Sequence, residues 1–210
     1  MNHRVFQIAT ALCIVFGLTV HAFAGLEGLK NSYGKAETIS GKFTQTLTHK
    51  DSGSIEKRAG EFFIQRPELV RWVTKTPFEE LLIVNNDAVW NYLVDEEIIY
   101  KYPPDLAKEN QNSLRFLLGD KDVETDFYIE DGNGAGHYLL FPKDPTTNLV
   151  EAEIWIDTAN YVIRRITIID FYGNSNDITF TDVVFDKNLD QSLFKFIPPK
   201  GITVEDNTKQ

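Results

Sequence analysis

The sequence predicts a mainly β protein of the α+β class: one strongly curved antiparallel sheet of about eleven strands, covered by a few short helices. Three observations carry this. From Ile39 onward, apolar residues recur at every second position rather than every third or fourth. The segments with that period are joined by short turns, which suit antiparallel neighbours. A sheet of so many strands must curl or close, and two short helices are too few to cover both of its faces. They suit a lid or plug over the concave side, an arrangement that encloses an apolar cavity.

The elements follow in order. Leu26, Leu29, Tyr33 and Ala36 fall at helical spacing, so residues 26–37 read as an amphipathic helix. Ile39, Gly41, Phe43, Gln45 and Leu47 then alternate with Ser40, Lys42, Thr44, Thr46 and Thr48, a half-buried strand with a hydroxylated outer face. Residues 51–54 form a turn, and 59–65 and 69–74 are strands broken at Pro67, which cannot sit inside a central strand. Residues 80–84 and 88–93 flank the hairpin turn Asn85, Asn86, Asp87, and 98–102 close that run. Asn112 or Ser113 caps a second, almost wholly apolar helix carrying Leu114, Phe116, Leu117 and Leu118, stopped by Gly119. Strands resume at 123–129, 137–141, 150–156, 161–169 and 176–185, and Asp190 caps a last helical turn over 191–194.

The first 24 residues stand apart from this pattern. A positive start ending at Arg4, an apolar run from Val5 to Val20, and Ala22-Phe23-Ala24 before Gly25 make a secretory signal peptide with an A-x-A cleavage site. The only cysteine, Cys13, lies inside it, preceded by Leu12 where a lipid-attachment signal would carry small residues. Cleavage leaves a domain over 25–210 without cysteine or methionine, held by its core and sheet ladders alone. Loss of Arg4 takes the formal charge from -10 to -11. So acidic a chain lacks the basic footprint that nucleic acid requires and the polybasic grip that anionic lipid requires, and the charge keeps a monomer soluble.

Enzyme signatures are absent from the sequence: no G-x-S-x-G, no P-loop, no H-E-x-x-H, and no cysteine nucleophile after processing. His49 and His137 read as solvated strand residues, too few for a histidine metal site. Asp120, Asp122, Glu124 and Asp126 alternate, but the sixth and twelfth positions of an EF-hand loop would fall on Thr125 and Asp131, so they read as an acidic solvent face. The expectation is a protein that is no enzyme and has neither metal nor cofactor.

What remains is a hydrophobic carrier. Phe43, Phe62, Trp72, Trp90 and Tyr92 sit in separate strands, each in an alternating context. Without register, each ring is a candidate either for sheet packing or for a cavity wall. Arg66, at a strand end before Pro67, either points to solvent or reaches polar partners across the mouth of the sheet, where its five donors can hold backbone carbonyls.

The residues Gly41-x-Phe43-x-Gln45, Gly60-x-Phe62-x-Ile64-x-Arg66-Pro67, Arg71-Trp72, Val89-Trp90-x-Tyr92 and Phe196-x-Pro198-Pro199-x-Gly201, taken in this order, resemble the LolA family over about residues 26–206. The resemblance implies an unclosed half-barrel and a periplasmic chaperone that shuttles triacylated lipoproteins. These would come from an ATP-driven (ABC-type) releasing transporter of the inner membrane and pass to an outer-membrane acceptor. It implies acyl chains in a cavity for which Leu29, Phe43, Phe62, Trp72, Trp90, Leu114, Leu117 and Leu118 are candidates, and Arg66 as the latch between sheet and lid that governs release. Val70 stands where the family often has an aromatic, at a position implied to contact the transporter. The alternative is a periplasmic sensor of the same fold, which signals rather than transports; such sensors carry a further domain, for which 25–210 leaves no room.

Export should yield a chain beginning at Gly25. Intact mass and N-terminal sequencing of the protein recovered from the periplasm test this, and a chain that retains residues 1–24 would overturn it.

Overall fold

The structure, a computed structural model, describes residues 22–104, 123–144 and 148–208. Helix α1 (Ala22–Lys35) is followed by β1 (Thr38–Thr48), β2 (Ile55–Gln65), β3 (Leu69–Thr76), β4 (Glu80–Val84), β5 (Val89–Leu93) and β6 (Ile98–Tyr102). A single helical turn, α2 (Val123–Asp126), leads into β7 (Phe127–Asp131), β8 (His137–Pro142), β9 (Leu149–Asp157), β10 (Val162–Asp170) and β11 (Ser175–Phe185). A 3₁₀ turn (Gln191–Phe194) and β12 (Thr203–Asp206) complete the chain. No helix of the described residues is long and apolar enough to cross a membrane.

All twelve strands belong to one open sheet, in the order β12-β6-β5-β4-β3-β2-β1-β11-β10-β9-β8-β7. Every pairing is antiparallel except β12 with β6. The sheet ends at β12 and β7 and does not close, so this is the unclosed half-barrel expected. Long β1 joins its two halves, pairing with β2 on one side and β11 on the other.

The concave face carries the core. From β7 to β10 it presents Phe127, Leu140, Ile154, Ile163 and Ile166, all buried, with α1 laid across them. Tyr33 of α1 is 1% exposed, accepts a hydrogen bond from the Ile163 amide at 3.1 Å, and meets Phe185 edge to face. Burial pushes its phenol far above the ordinary range, so it stays neutral at any physiological pH.

At the centre, β1 and β2 exchange glycines and aromatics. Gly41 pairs with Phe62, and Phe43 pairs with Gly60, so each ring lies over the glycine of the facing strand. A Cβ on Gly60 would sit 1.8 Å from the Val73 carbonyl oxygen and 2.8 Å from the Phe43 ring; one on Gly41 would sit 2.9 Å from the Phe62 ring. The absence of both side chains lets the rings lie flat on the sheet, as aromatics do over sheet glycines.

The convex face is covered locally. Behind β3–β6, Ile83 and Ile99 are fully buried, and the 3₁₀ turn lies against β3 with Phe194 buried. Arg71 Nη1 donates to the Leu193 carbonyl at 3.2 Å and Asn85 Nδ2 to that of Phe194 at 3.0 Å. Asp190 accepts from the Ser192 amide and starts the 3₁₀ turn, at the expected place. Burial on both faces explains why Leu81-Leu82-Ile83-Val84 is a continuous apolar run rather than an alternating one.

Three expectations differ from the structure. Residues 123–126 are helical rather than extended: the β7–β8 ladder ends with Phe127 opposite Pro142, and beyond it the Lys143 amide donates to the Asp126 carbonyl at 2.8 Å as the helical turn takes over. β12 was not foreseen: its four residues are all exposed, so it has no burial period to read. His137 is buried rather than solvated: it accepts from the Asn133 amide at Nδ1, meets Glu153 at 2.9 Å through Nε2, and stacks on Trp155. The apolar helix expected at 114–118 lies outside the described residues.

Gly60→Ala should destabilise the fold by about 2–3 kcal/mol, the range for overpacking against backbone and ring. The urea midpoint would fall with little change in slope, whereas an unchanged midpoint would mean that the close approach at Gly60 is not needed.

Candidate functional site

Cross-strand partners in an antiparallel sheet share a face, so the ladders trace which side chains line the hollow. One row across the concave face reads Gly41, Phe62, Trp72, Leu82, Asn91, Tyr100, and the next reads Ile39, Ile64, Val70, Val84, Val89, Tyr102. Phe43 adds a third row and pairs across to Phe180 of β11. Four rings form its floor. Phe43 stacks on Trp72 at 4.1 Å between centroids, Phe62 lies 5.6 Å from Trp72, and Phe180 meets Phe62 edge to face at 5.6 Å. Each such pair is worth about 0.5–1.5 kcal/mol beyond simple burial. Phe43, Phe62 and Phe180 are buried, whereas Trp72, Leu82, Tyr100 and Tyr102 remain partly exposed. The described residues of β3–β6 therefore form an apolar trough.

Polar groups mark its two ends. At one end Arg58 is closed by carboxylates, Nε to Glu56 at 2.6 Å and Nη1 to Glu80 at 3.1 Å. At the other, Arg66 follows Phe62 and Ile64 in the alternation and is half-buried. Its amide donates to the Glu37 carbonyl at 2.9 Å. Its Nε and Nη2 are buried, with no hydrogen-bond partner among the described residues, and burial lowers the pKa of the guanidinium. It lines a cleft of about 810 Å³ between the end of α1 (Gly34 to Lys35), Gln65 and the segment Asp186–Leu189. Burying these donors with no carboxylate or carbonyl among the described residues to receive them is unfavourable.

The structure gathers Phe43, Phe62 and Trp72 into the trough, and packs Leu29 of α1 against the same core. Trp90 is placed elsewhere. Its register with Ile83 and Lys101 puts it on the convex face, where its ring lies 5.2 Å from Phe196 and 5.3 Å from Lys101 Nζ. It therefore does not share a surface with Trp72. Tyr92 lies on the same convex side, 6.2 Å from Phe196. Val70 belongs to the concave face but is 1% exposed, so in this conformation it offers no surface to a partner. Leu114, Leu117 and Leu118 lie outside the described residues. Sequence reasoning passed over Leu82, Val84, Asn91, Tyr100, Tyr102 and Phe180; the parity linking them to Trp72 exists only once the strands are paired.

Among the described residues no group of three or more His, Cys, Asp or Glu side chains could hold a metal ion. His137, Trp155 and Arg165 form a stack on the convex face, Arg165 4.5 Å above the Trp155 ring and also bonded to Asp177. Each member has a structural partner.

Comparison with known proteins bears on this site. The family model described as outer membrane lipoprotein carrier protein LolA matches residues 34–197. An outer-membrane lipoprotein carrier protein of Neisseria meningitidis serogroup B is 30% identical over 210 residues, covering 98% of both chains. Its counterpart in Haemophilus influenzae is 27% identical over 179 residues, covering 84% of each. Among solved structures, an uncharacterized conserved protein from Thermus thermophilus superposes with a TM-score of 0.56 at 16% identity, over 88% of this chain and 98% of that one. The likeness shows a shared fold.

Trp72→Ala and Trp90→Ala should separate the two faces. Trp72→Ala should weaken uptake of an apolar fluorophore such as diphenylhexatriene. Trp90→Ala should leave uptake unchanged while costing about 2–3 kcal/mol in urea denaturation, through lost packing on Phe196. Loss of uptake in folded Trp90→Ala would contradict the assigned faces.

Proposed function

The chain belongs to the LolA family of outer membrane lipoprotein carrier proteins, and from that premise we propose that it is a periplasmic carrier. It takes lipoproteins released from the inner membrane, holds their acyl chains in the trough of β1–β6, and delivers them to an outer-membrane acceptor. The observation that carries this reading is the partly exposed apolar floor of Trp72, Leu82, Tyr100 and Tyr102, backed by buried rings. The proposed partners are triacylated lipoproteins, an ATP-driven releasing transporter and the acceptor. The chemistry is binding and release, with no bond made or broken in the cargo.

Magnitudes explain why such a carrier needs a gate. Burying acyl carbon gains roughly 0.8 kcal/mol per methylene, so one sixteen-carbon chain is worth on the order of 12 kcal/mol against water. Against the bilayer, where the chains are already buried, the gain is close to zero. Loading then needs work from outside, and unloading must run towards a tighter binder.

Arg66 is the proposed latch. Its Nε and Nη2, buried and without a partner among the described residues, are the donors available for the closing interaction between sheet and lid that the family resemblance implies, which cargo would break on entry. A neutral side chain would lose the donors that let the protein close again and expel its cargo.

Purified protein from Gly25 onward, added to spheroplasts with an active releasing transporter, should bring triacylated lipoprotein into the supernatant. Finding none would sink the carrier reading and favour the sensor of the same fold. Arg66→Leu should load lipoprotein at near the normal level yet retain it when acceptor is supplied. Normal transfer by that variant would remove Arg66 from the gate.

A further inference from the structure

Asn91 lies between Trp90 and Tyr92, whose rings face Phe196 on the convex side. Alternation turns Asn91 the other way. It pairs with Leu82 and Tyr100 and stands in the row of Phe62 and Trp72, within the apolar trough. Its Oδ1 is buried, with no hydrogen-bond partner among the described residues. Among other polar side chains of this face, Gln45 bonds Asn176 at 2.9 Å and Arg58 bonds Glu56 and Glu80, while Arg66 at the end of the trough also keeps donors without a partner among the described residues. A buried carboxamide oxygen without a donor is unfavourable and rarely left so in a native fold. A leucine would fill the same place on the trough floor at no such cost.

The unpaired atom is an acceptor, so the group that completes it is a donor. A hydrocarbon chain has none, and an ester linkage has none. The linkage that suits a hydrocarbon trough and still offers a donor is the N–H of an amide at the head of the chain. We propose that Asn91 is a polar subsite in the apolar trough, accepting a hydrogen bond from the amide N–H of an N-acylated ligand, so that the site favours amide-linked over ester-linked acyl chains. The proposal rests on the reading that the trough holds acyl chains, and it adds a determinant that reads how the chain is attached. Satisfying Oδ1 rewards correct seating of the head group, while the hydrocarbon supplies uniform, unspecific contact.

The test compares two ligands and two proteins. N-ethyl hexadecanamide and ethyl hexadecanoate carry the same chain, but only the first has an N–H. Displacement of diphenylhexatriene from the purified protein gives both affinities. The ratio of amide to ester affinity should fall about fivefold in Asn91→Leu, the share of one buried neutral hydrogen bond. The diphenylhexatriene affinity of each protein is measured separately so that the displacement ratio is independent of it, and circular dichroism with a cooperative urea transition reports that the variant is folded. Should Asn91→Leu fail to fold, Asn91→Val, whose branched side chain suits a strand, carries the same comparison. An unchanged ratio in either folded variant overturns the subsite. If the unaltered protein takes up neither diphenylhexatriene nor either acyl ligand, the acyl-trough reading falls, and the subsite with it.

Discussion

The structure depends on a reciprocal exchange between two neighbouring strands: Phe43 lies over Gly60, and Phe62 lies over Gly41. Neither ring could lie there if its partner carried a Cβ, given 2.8 Å to the Phe43 ring at Gly60 and 2.9 Å to the Phe62 ring at Gly41. The same arrangement brings Trp72 and Phe180 onto those rings from β3 and β11. Strands from both halves of the sheet thus meet in one aromatic cluster on the concave side. A hollow whose floor is stiff rings has a defined shape, which is what a binding surface needs when its ligand is flexible hydrocarbon.

The sheet is not used the same way along its width. From β7 to β10 the concave face is filled by α1, with Tyr33 bonded to the backbone of β10. From β3 to β6 the convex face is covered instead, by the 3₁₀ turn and Phe196, and the concave face keeps partly exposed apolar side chains. Ile83 and Trp90 support from behind what Leu82 and Asn91 present in front. On that concave side both Arg66 and Asn91 keep buried polar atoms without partners among the described residues.

Much of this was legible in the residues. The strands at 80–84 and 98–102 and the 3₁₀ turn at 191–194 stand where the sequence reading put them, because Asn85, Pro103 and Asp190 punctuate them. Strand β1 showed its faces through sequence alternation, and around Phe43, buried between exposed Lys42 and Thr44, burial follows it, although Thr38 and Ser40 near its start are buried as well. The curved antiparallel sheet followed from strand number and short turns, and its remaining open was what the LolA resemblance implied. The reading failed where the local signal is silent. Residues 123–126 alternate like a strand but form a helical turn beyond the end of the β7–β8 ladder, and β12 is exposed throughout because it adds only a short outer edge. His137 reads as a solvated residue until Trp155 and Glu153 are brought beside it from β9.

Trp90 shows where the boundary lies. Composition and period alone determined that this is an acidic β protein, that its aromatics serve a curved sheet, and that Arg66 stands at a strand end beside apolar sequence. Those properties are local: each is written in neighbouring residues and survives any choice of pairing. Which of two tryptophans, Trp72 or Trp90, lines the trough was decided only by tertiary structure. A strand buried on both faces has no polar side to mark its orientation, so one-residue parity is fixed by the partner strands and by what packs behind them. The same register turned Asn91 inward, and nothing in the chain near it says so.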